Sequence, residues 1–227
     1  GMFGAALLAG RSALQGGAGR VFVCPLDANA ASLDNNRPEL MFRTPNTLDF
    51  SRMTVVAGCG GGSAIASHLP MLLHSAARLV LDADALNHLA RDAELAAALA
   101  RRSAGRSVMT PHPLEAARLL GSSVSEVQKN RLQAAQLLAD RHQCSVVLKG
   151  SGSIIAAPHK TPFINPTGNA KLASAGTGDV LAGLVGAYLA QGYGAFEAAR
   201  TAVFRHGLAA DQWQGFVLNA SELCLCI

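Results

Sequence analysis

The chain has 227 residues, of which 50% are hydrophobic, 15% are charged and 5% are aromatic. With roughly 150 residues per domain, this length allows one large domain or two small ones, and the apolar content excludes an intrinsically disordered chain. Mean hydropathy is +0.25, but no stretch reaches the roughly 18 consecutive apolar residues of a membrane-spanning helix. The composition therefore predicts a soluble, folded protein with no membrane partner.

The 19 basic and 15 acidic residues give a net charge of +4. Lysines and arginines are scattered, with Arg101 and Arg102 as the one adjacent pair, and aromatic residues do not interleave with them. We therefore expect no nucleic-acid partner. A mild positive balance suits a small anionic ligand or reflects solubility alone.

The five cysteines are odd in number and lack a paired CxxC pattern, which argues against a disulfide scaffold or a zinc site. We therefore expect no metal-ligating residues and a reducing, cytoplasmic location. The first residues show no basic segment followed by an apolar stretch and a cleavage site, which favours the same location.

Short aliphatic or β-branched segments alternate with longer segments of helical periodicity. Such alternation is typical of an α/β fold with a mainly parallel sheet, and no repeat or linker divides the chain into two domains. In chain order, the pattern predicts a helix over 5–14, strands over 20–24 and 54–57, a helix over 65–76, strands over 78–81 and 107–109, a helix over 125–141, a strand over 145–148, a hairpin of 153–156 with 162–164, and helices over 179–191 and 195–212.

Ligands of open α/β sheets bind beyond the carboxyl ends of the strands, so the loops that follow the predicted strands are the candidate sites. The first loop, 58–62, holds four glycines before a helix and is either a ligand-binding loop or a tight structural turn. Asp82 and Asp84 follow the next strand, and alternation sends them to opposite faces, so they need not share a metal. Asp84 either caps the next helix or faces a ligand.

The next two loops carry single polar groups beside rigid or small residues. His112 lies between two prolines and is either displayed rigidly to a ligand or part of a helix start, with Pro113 in the first position and Glu115 in the first turn. Lys149 precedes small residues and either reaches a phosphate or is an exposed, solubilising lysine. The chain contains no Walker P-loop pattern.

The strongest signal is the segment 176–179, where Gly176 and Gly178 flank Thr177 immediately before a long apolar helix. Backbone N–H groups at such a helix start converge on an anion and are assisted by the helix dipole. A carboxylate at Asp179 would repel that anion, which favours a role in accepting a proton from a hydroxyl group that is being phosphorylated. The alternative is that Asp179 only complements the helix dipole.

Taken together and in order, these segments resemble the ribokinase-like superfamily, and within it the ADP- or ATP-dependent NAD(P)H-hydrate dehydratases. The likeness covers nearly the whole chain and implies one domain over 1–227, a three-layer sandwich with helices on both faces of a mainly parallel sheet. The motifs that carry it are GCGGG at 58–62, DADALN at 82–87, TPHPLE at 110–115, LKG at 148–150, NPTGN at 165–169, GTGDVLAG at 176–183 and HGLAAD at 206–211.

The resemblance implies a role for each site residue, and it implies a homotetramer. Asp179 would be the base that acts on the substrate, a hydrated dinucleotide that Ala5, Gly62 and His112 would also contact. Charge on the transferring phosphoryl group would be stabilised by the amides of Gly176, Thr177 and Gly178. The adenine nucleotide, with Mg²⁺ bridging its phosphates, would be held by Lys149, Gly150, Ser151, Gly152, Ser153 and Gly178.

The reaction implied by the resemblance is dehydration of the S epimer of hydrated NADH or NADPH, with ADP or ATP as the phosphoryl donor. Phosphorylation of the hydroxyl on C6 would convert it into a good leaving group, which the neighbouring ring nitrogen expels. Two alternatives stay open: a sugar or vitamin-precursor kinase of the same superfamily, and an inactive nucleotide-binding relic. The TPHPLE motif argues against the kinase.

The sequence departs from the family pattern at two places. The family begins with a strand that contains Lys-Gly and ends in a Gly-Gly-Ser turn, whereas this chain opens beyond it, so we expect an N-terminally truncated domain that lacks one strand. The family's NPGMATG before GTGD is replaced by NAKLASA at 169–175. Lys171 in that segment either contacts phosphate or faces water.

Overall fold

The computed structural model describes residues 2–27 and 29–227. Within these ranges the strands are β1 Phe22–Val23, β2 Met41–Phe42, β3 Thr54–Ala57, β4 Arg78–Leu81, β5 Ser107–Met109, β6 Ser145–Leu148, β7 Ile154–Ala156 and β8 Phe163–Ile164. The helices are α1 Phe3–Gln15, α2 Leu69–Ser75, α3 Ala83–Leu89, α4 Ala93–Ala100, α5 Pro113–Leu120, α6 Val124–Lys129, α7 Arg131–His142, α8 Thr177–Ala190, α9 Ala195–Gln212 and α10 Ala220–Cys226. No helix in these ranges combines the length and the apolar character needed to cross a membrane.

Six of the strands form the central sheet in the order β3-β4-β5-β6-β7-β8. The neighbours from β3 to β6 pair in parallel, whereas β6 with β7 and β7 with β8 are antiparallel. Aliphatic side chains follow one another in β4, where Leu79, Val80 and Leu81 are all fully buried, because both faces of this strand are covered. The predicted mainly parallel sheet and the predicted hairpin are confirmed.

Helices cover both faces of the sheet. Leu79 and Leu81 contribute to a core formed with α2, α3, α4, α5, α6 and α7. Val80 points to the opposite face and joins a second core, which α1, α8, α9 and α10 complete. The predicted three-layer sandwich is therefore confirmed.

Several helices differ from the sequence pattern. The helix predicted over 125–141 is two helices, α6 and α7, which meet at Asn130, whose backbone (φ −134°, ψ 55°) is not helical. The helix predicted from residue 65 begins as a 3-10 turn, Ala64–Ser67, and α2 follows with Pro70 in its first turn. The pattern does not predict β2, α4 or α10, because these elements are too short to show a clear period.

The strands β1 and β2 form a separate, two-stranded parallel sheet. A cleft of about 840 Å³ lies between this sheet and β3, with Phe22 and Val55 among its lining residues. In the described part of the chain, no strand pairs with the outer edge of β3. The expectation that the chain lacks one strand of the family stays a prediction.

The close packing of α1 against α8 holds the helix whose first turn carries Asp179. A Cβ atom added at Gly183 of α8 would lie 2.1 Å from the carbonyl oxygen of Ala9 in α1. The Ser12 hydroxyl of α1 donates a hydrogen bond of 2.5 Å to the carbonyl of Val180. Because two helix backbones approach this closely only where a side chain is missing, Gly183 sets the separation of the two helices.

We expect Gly183→Ala to weaken this contact. The added methyl group meets a backbone oxygen, so α1 must shift, and overpacking of this kind costs about 1–3 kcal/mol of unfolding free energy. Urea denaturation followed by circular dichroism measures the change. Gly4→Ala in α1 is the matched control, because nothing lies within 4 Å of its added atom. That variant should be as stable as the wild type or more stable, and an equally stable Gly183→Ala protein would contradict the close contact.

Candidate active site

The loops at the carboxyl ends of four parallel strands meet the first turn of α8. Lys149, after β6, lies within reach of Asp82 after β4 and Glu115 in α5, the helix after β5. Cys59, after β3, forms a cluster with Asp82 and with Asp179 of α8. The structure therefore brings the predicted residues Lys149 and Asp179 to one edge of the sheet.

The first turn of α8 is anchored through Thr177. The Thr177 hydroxyl contacts the carbonyl oxygens of Leu172 at 2.8 Å and Ser174 at 2.9 Å. The Nε2 atom of His206 lies 2.9 Å from the Thr177 carbonyl oxygen. Burial lowers the pKa of His206 to about 4, so the ring is neutral and is assigned as the donor of this bond. The Thr177 hydroxyl thus supports the helix start and is not presented to a ligand.

Backbone amides at the start of α8 are available to an anion. In the described part of the chain, the amides of Gly176, Gly178 and Asp179 have no acceptor, whereas the Thr177 amide donates to the Ser174 carbonyl at 3.4 Å. Gly176 adopts a φ of +86°, a left-handed conformation that favours glycine, where the chain turns into the helix. Gly176, Gly178 and Asp179 are half-buried, so the helix start is open to a ligand.

Lys149 is a half-buried cation, so its interpretation as an exposed, solubilising lysine is wrong. Its Nζ atom lies 2.7 Å from Asp82 Oδ1 and 4.0 Å from Glu115 Oε2, and its side chain is 19% exposed. Burial lowers the pKa of Lys149, but the two carboxylates outweigh this effect and hold the pKa above its usual value. A Cβ atom at Gly178 would lie 3.4 Å from this Nζ. The ammonium group therefore borders the helix start, where it would meet a phosphate held by the amides.

His112 and Glu115 form the start of α5 by capping each other. The His112 Nδ1 atom accepts hydrogen bonds from the amides of Leu114 at 3.1 Å and Glu115 at 3.2 Å, and Glu115 Oε2 accepts from the His112 amide at 2.8 Å. Burial raises the pKa of the Glu115 carboxyl group. The interpretation of His112 as part of a helix start is confirmed. Its side chain is 45% exposed, and its contact with substrate stays a prediction.

Asp179, Asp82 and Cys59 form a compact cluster beside Lys149. One carboxylate oxygen from each aspartate and the Cys59 sulfur all lie within 4.8 Å of one another. Burial is the main cause that raises the pKa of Asp179, and the carboxylates of Asp82 and Asp84 add to the rise, while Cys59 and Lys149 oppose it. A raised pKa makes an aspartate a stronger base near neutral pH, which suits a proton acceptor.

The glycine loop, residues 58–62, is a tight turn that Asp84 holds in place. Asp84 Oδ2 accepts a hydrogen bond of 2.7 Å from the Gly62 amide. The interpretation of Asp84 as a helix cap is therefore wrong: Asp82 is the residue at the N-cap of α3, and its side chain makes no capping bond. The Asp82 and Asp84 side chains bind different partners, Lys149 and the Gly62 amide respectively.

Ala5 packs on the glycine loop. A Cβ atom at Gly60 would lie 3.1 Å from the Ala5 Cβ, so Ala5 and Gly62, both predicted to contact substrate, belong to one assembly. The cleft between the β1–β2 sheet and β3 reaches this loop, but neither Lys149 nor Asp179 lines it. The open space in front of α8, rather than this cleft, is therefore the candidate active site.

The predicted nucleotide-binding residues that follow Lys149 form a turn held by Arg131. An Arg131 nitrogen donates to the Ser151 carbonyl at 2.5 Å, and the Ser153 hydroxyl donates to the Gly150 carbonyl at 3.1 Å. The φ angles of Gly150 and Gly152 are +146° and +61°, so this turn depends on glycine. The structure shows contact with the start of α8 through Lys149, the first residue of the predicted segment.

The segment that leads into α8 is tied to the end of α9. The Gly168 amide donates to Asp211 Oδ2 at 2.8 Å, and the Asn169 side chain donates to Asp211 Oδ1 at 2.9 Å. Lys171 Nζ donates to the Trp213 carbonyl at 2.8 Å, and the two alternatives for Lys171, a phosphate contact or exposure to water, stay open. These contacts position the loop that ends at Gly176.

Sequence reasoning missed the partners of the two central charges. Thr110 Oγ1 donates to Asp82 Oδ1 at 2.8 Å, and the same oxygen binds Lys149, 67 positions further along the chain. It also missed the contact of Cys59 with the carboxylates. Each of these residues closely follows a predicted strand, and this position predicts that they lie at one edge of the sheet. It does not predict which of them contact each other.

Comparison with known proteins shows the family to which the chain belongs. A family model for NAD(P)H-hydrate dehydratase matches residues 1–221. The ADP-dependent (S)-NAD(P)H-hydrate dehydratase of Neisseria meningitidis serogroup B is 41% identical over 218 residues, which cover 93% of this chain and 73% of the relative. The bifunctional NAD(P)H-hydrate repair enzyme Nnr of Escherichia coli is 38% identical over 93% of this chain, which spans 41% of that protein. The structure of the ADP/ATP-dependent NAD(P)H-hydrate dehydratase from Bacillus subtilis co-crystallized with ATP/Mg²⁺ has a TM-score of 0.76 and 28% identity, over 99% of this chain and 83% of that chain.

Lys149→Met should destabilise the protein strongly, by about 3–5 kcal/mol of unfolding free energy at neutral pH, because it leaves two buried carboxylates without their cation. The loss should be smaller at pH 5 than at pH 8. Burial already raises the folded-state pKa of Glu115 above its unfolded value, so stability falls as pH rises through that range, and removal of the cation extends the fall. Urea denaturation at the two pH values measures both effects.

Lys129→Met, which changes an exposed lysine at the end of α6, is the control for this prediction. It should change the unfolding free energy by less than about 0.5 kcal/mol at either pH. A Lys149→Met protein that behaves like this control would show that the buried ion pair does not stabilise the site.

Proposed function

The chain belongs to the NAD(P)H-hydrate dehydratase family, and we propose that it dehydrates the S epimer of hydrated NADH or NADPH with ADP or ATP as the phosphoryl donor. The observation that carries this proposal is the position of Asp179, a half-buried carboxylate in the first turn of α8. Free backbone amides and the Lys149 ammonium group lie beside it. A proton acceptor and an anion site are adjacent, as the phosphorylation of a hydroxyl group requires.

In the first step, Asp179 would accept the proton of the C6 hydroxyl while the hydroxyl oxygen attacks the terminal phosphorus of the nucleotide. The bond from that phosphorus to the bridging oxygen breaks, which leaves AMP from ADP or ADP from ATP. Burial raises the pKa of Asp179 and strengthens it as a base, whereas Lys149 favours the ionised form that accepts the proton.

The transferring phosphoryl group would lie at the start of α8. The amides of Gly176, Gly178 and Asp179 would donate to its oxygens, and the positive end of the helix dipole would stabilise its charge. Lys149, which borders Gly178, would supply a full positive charge to the same group. The Thr177 amide contributes less to this site, because it already has an acceptor.

The second step follows from the chemistry of the substrate. The lone pair of the ring nitrogen expels phosphate, so that the bond from C6 to oxygen breaks and an iminium ion forms. Loss of a proton from C5 then restores the dihydropyridine. Since phosphate is a far better leaving group than hydroxide, the chain need not protonate the departing oxygen.

The described residues do not form a magnesium site of their own. Their one cluster of potential metal ligands, Cys59, Asp82 and Asp179, includes a thiol, which Mg²⁺ disfavours, and Asp82 is already paired with the Lys149 ammonium. We propose that the nucleotide phosphates would hold Mg²⁺, which would reduce their charge.

We also propose the contacts that surround this centre. Ala5, Gly62 and His112 would contact the dinucleotide, and 150–153 would contact the adenine nucleotide. The shared assembly of Ala5 with the glycine loop and the exposed ring of His112 support the first set. The turn that directly follows Lys149 supports the second. The homotetramer and the cytoplasmic location stay predictions.

Asp179→Asn should abolish turnover and leave nucleotide affinity nearly unchanged, because asparagine keeps the shape of the side chain but does not accept the proton. Recovery of NADH from its hydrate, with ADP or ATP, is followed by absorbance of the dihydronicotinamide band, and nucleotide affinity is measured by calorimetry. Asp140→Asn, on an exposed position of α7, is the matched control and should retain full turnover.

Each competing interpretation has its own result in this assay. Turnover of Asp179→Asn within tenfold of the wild type, a difference of about 1.4 kcal/mol, would show that another group is the base. A stable phosphorylated sugar or vitamin precursor, with no NADH recovered, would identify a kinase. Nucleotide binding by the wild type without turnover of any substrate would identify a nucleotide-binding relic.

A further inference from the structure

The thiol of Cys59 lies within the cluster that contains the proposed base. Cys59 follows β3, and its side chain is buried. Its sulfur donates a hydrogen bond of 3.9 Å to Asp82 Oδ2 and lies within 4.8 Å of a carboxylate oxygen of Asp179. Since a thiol has one proton to donate, a thiol between two carboxylates donates to one of them at a time.

The thiol makes the longest of the three hydrogen bonds that Asp82 accepts. Asp82 Oδ1 accepts from Lys149 at 2.7 Å and from Thr110 at 2.8 Å, so the charge of this carboxylate is already met by stronger donors. In contrast, no side-chain nitrogen or oxygen among the described residues donates a hydrogen bond to the Asp179 carboxylate. Cys59 therefore lies beside both carboxylates, and its bond to Asp82 Oδ2 is the weakest that Asp82 accepts.

We propose that Cys59 is a positioning residue for Asp179: its thiol, which bonds Asp82 Oδ2 in this structure, donates to the Asp179 carboxylate when that group is ionised and holds the base at the start of α8. The inference rests on the proposed function, in which Asp179 accepts the proton of the substrate. It adds a group from the glycine loop to a site otherwise built from α8 and the loops after β4, β5 and β6.

The charges that face Asp179 explain why such a donor matters. Asp82 and Asp84, from the loop after β4, repel the ionised form, while Lys149, from the end of β6, attracts it. Lys149 is hydrogen-bonded to Asp82, so its attraction for Asp179 is shared. Burial raises the pKa of Cys59 well above its usual value, so the thiol stays protonated and remains a donor throughout the working pH range.

Two substitutions at Cys59 test the inference. Cys59→Ala removes the donor, and Cys59→Ser keeps a donor of similar size. Cys144→Ala is the matched control, because it removes a buried thiol from the opposite core, away from the cluster. Two properties are measured: the titration of the Asp179 carboxyl carbon by ¹³C NMR, assigned by its absence in Asp179→Asn, and the pH profile of kcat for NADH recovery.

In Cys59→Ala, the Asp179 titration and the acidic limb of the kcat profile should both move to higher pH by about half a unit or more, which is about a threefold loss of activity at a pH on that limb. KM should change little, since the thiol contacts the base and not the substrate. Cys59→Ser should restore most of both values, and Cys144→Ala should leave both unchanged.

A Cys59→Ala protein whose Asp179 titrates as in the wild type would overturn the inference, even if that protein is less stable, because a purely structural thiol affects folding and not the titration. If the titration moves but the wild type recovers no NADH, the thiol contact stands and the proposed function fails. If both properties move together, the thiol positions the base of the reaction.

Discussion

The ion pair between Lys149 and Asp82 is the interaction on which the rest of the site depends. Burial disfavours the ionised forms of carboxylates, so the buried side chains of Asp82 and Glu115 depend on the nearby ammonium group of Lys149. Lys149 hydrogen-bonds to Asp82 and not to Asp179, so the base keeps a raised pKa while still feeling a nearby positive charge. A direct ion pair with Asp179 would stabilise its ionised form and weaken it as a proton acceptor. The geometry therefore separates the group that stabilises the site from the group that would react.

The parallel sheet explains how residues so far apart in the chain reach this ion pair. Each parallel strand ends at the same edge, so the residues after β3, β4 and β6 meet there without long connections. The remaining element, α8, lies on the face of the sheet opposite α3 and α5. Its position depends on the close contact of Gly183 with α1. Thr177 and His206 then fix the first turn from behind, which leaves its amides free at the front. The contacts that hold the first turn of α8 therefore leave its amides available to bind an anion.

The sequence predicts the layers and the edge of the sheet that carries the site, because both follow from local patterns. Runs of buried aliphatic residues mark the strands, and the loops after them concentrate glycine and charge. It does not predict the pairing of those charges: Asp84 binds the Gly62 amide and Lys149 binds Asp82, across 22 and 67 positions, and no local pattern reports such contacts. The break between α6 and α7 at Asn130 is not predicted either, because the helical period of the sequence continues through this residue although its backbone is not helical. In the sequence, Cys59 is a small apolar residue in a turn. Only the fold shows that two carboxylates lie beside it.

The same phosphoryl-transfer residues are compatible with two reactions, one that releases a phosphorylated product and one that releases a dehydrated product. Asp179, the free amides of α8 and Lys149 would together perform the transfer of a phosphoryl group to a hydroxyl, and none of them acts on the bond from carbon to oxygen. That bond breaks because the substrate carries a ring nitrogen next to the phosphorylated carbon, whose lone pair is available only in the hydrated dinucleotide. Discrimination between a kinase and a dehydratase would therefore belong to the residues that select the substrate, which we propose lie near the glycine loop and His112, rather than to the phosphoryl-transfer centre. This division follows from the chemistry of each half-reaction, since a shared transfer centre can serve different acceptors when the acceptor itself determines what happens next.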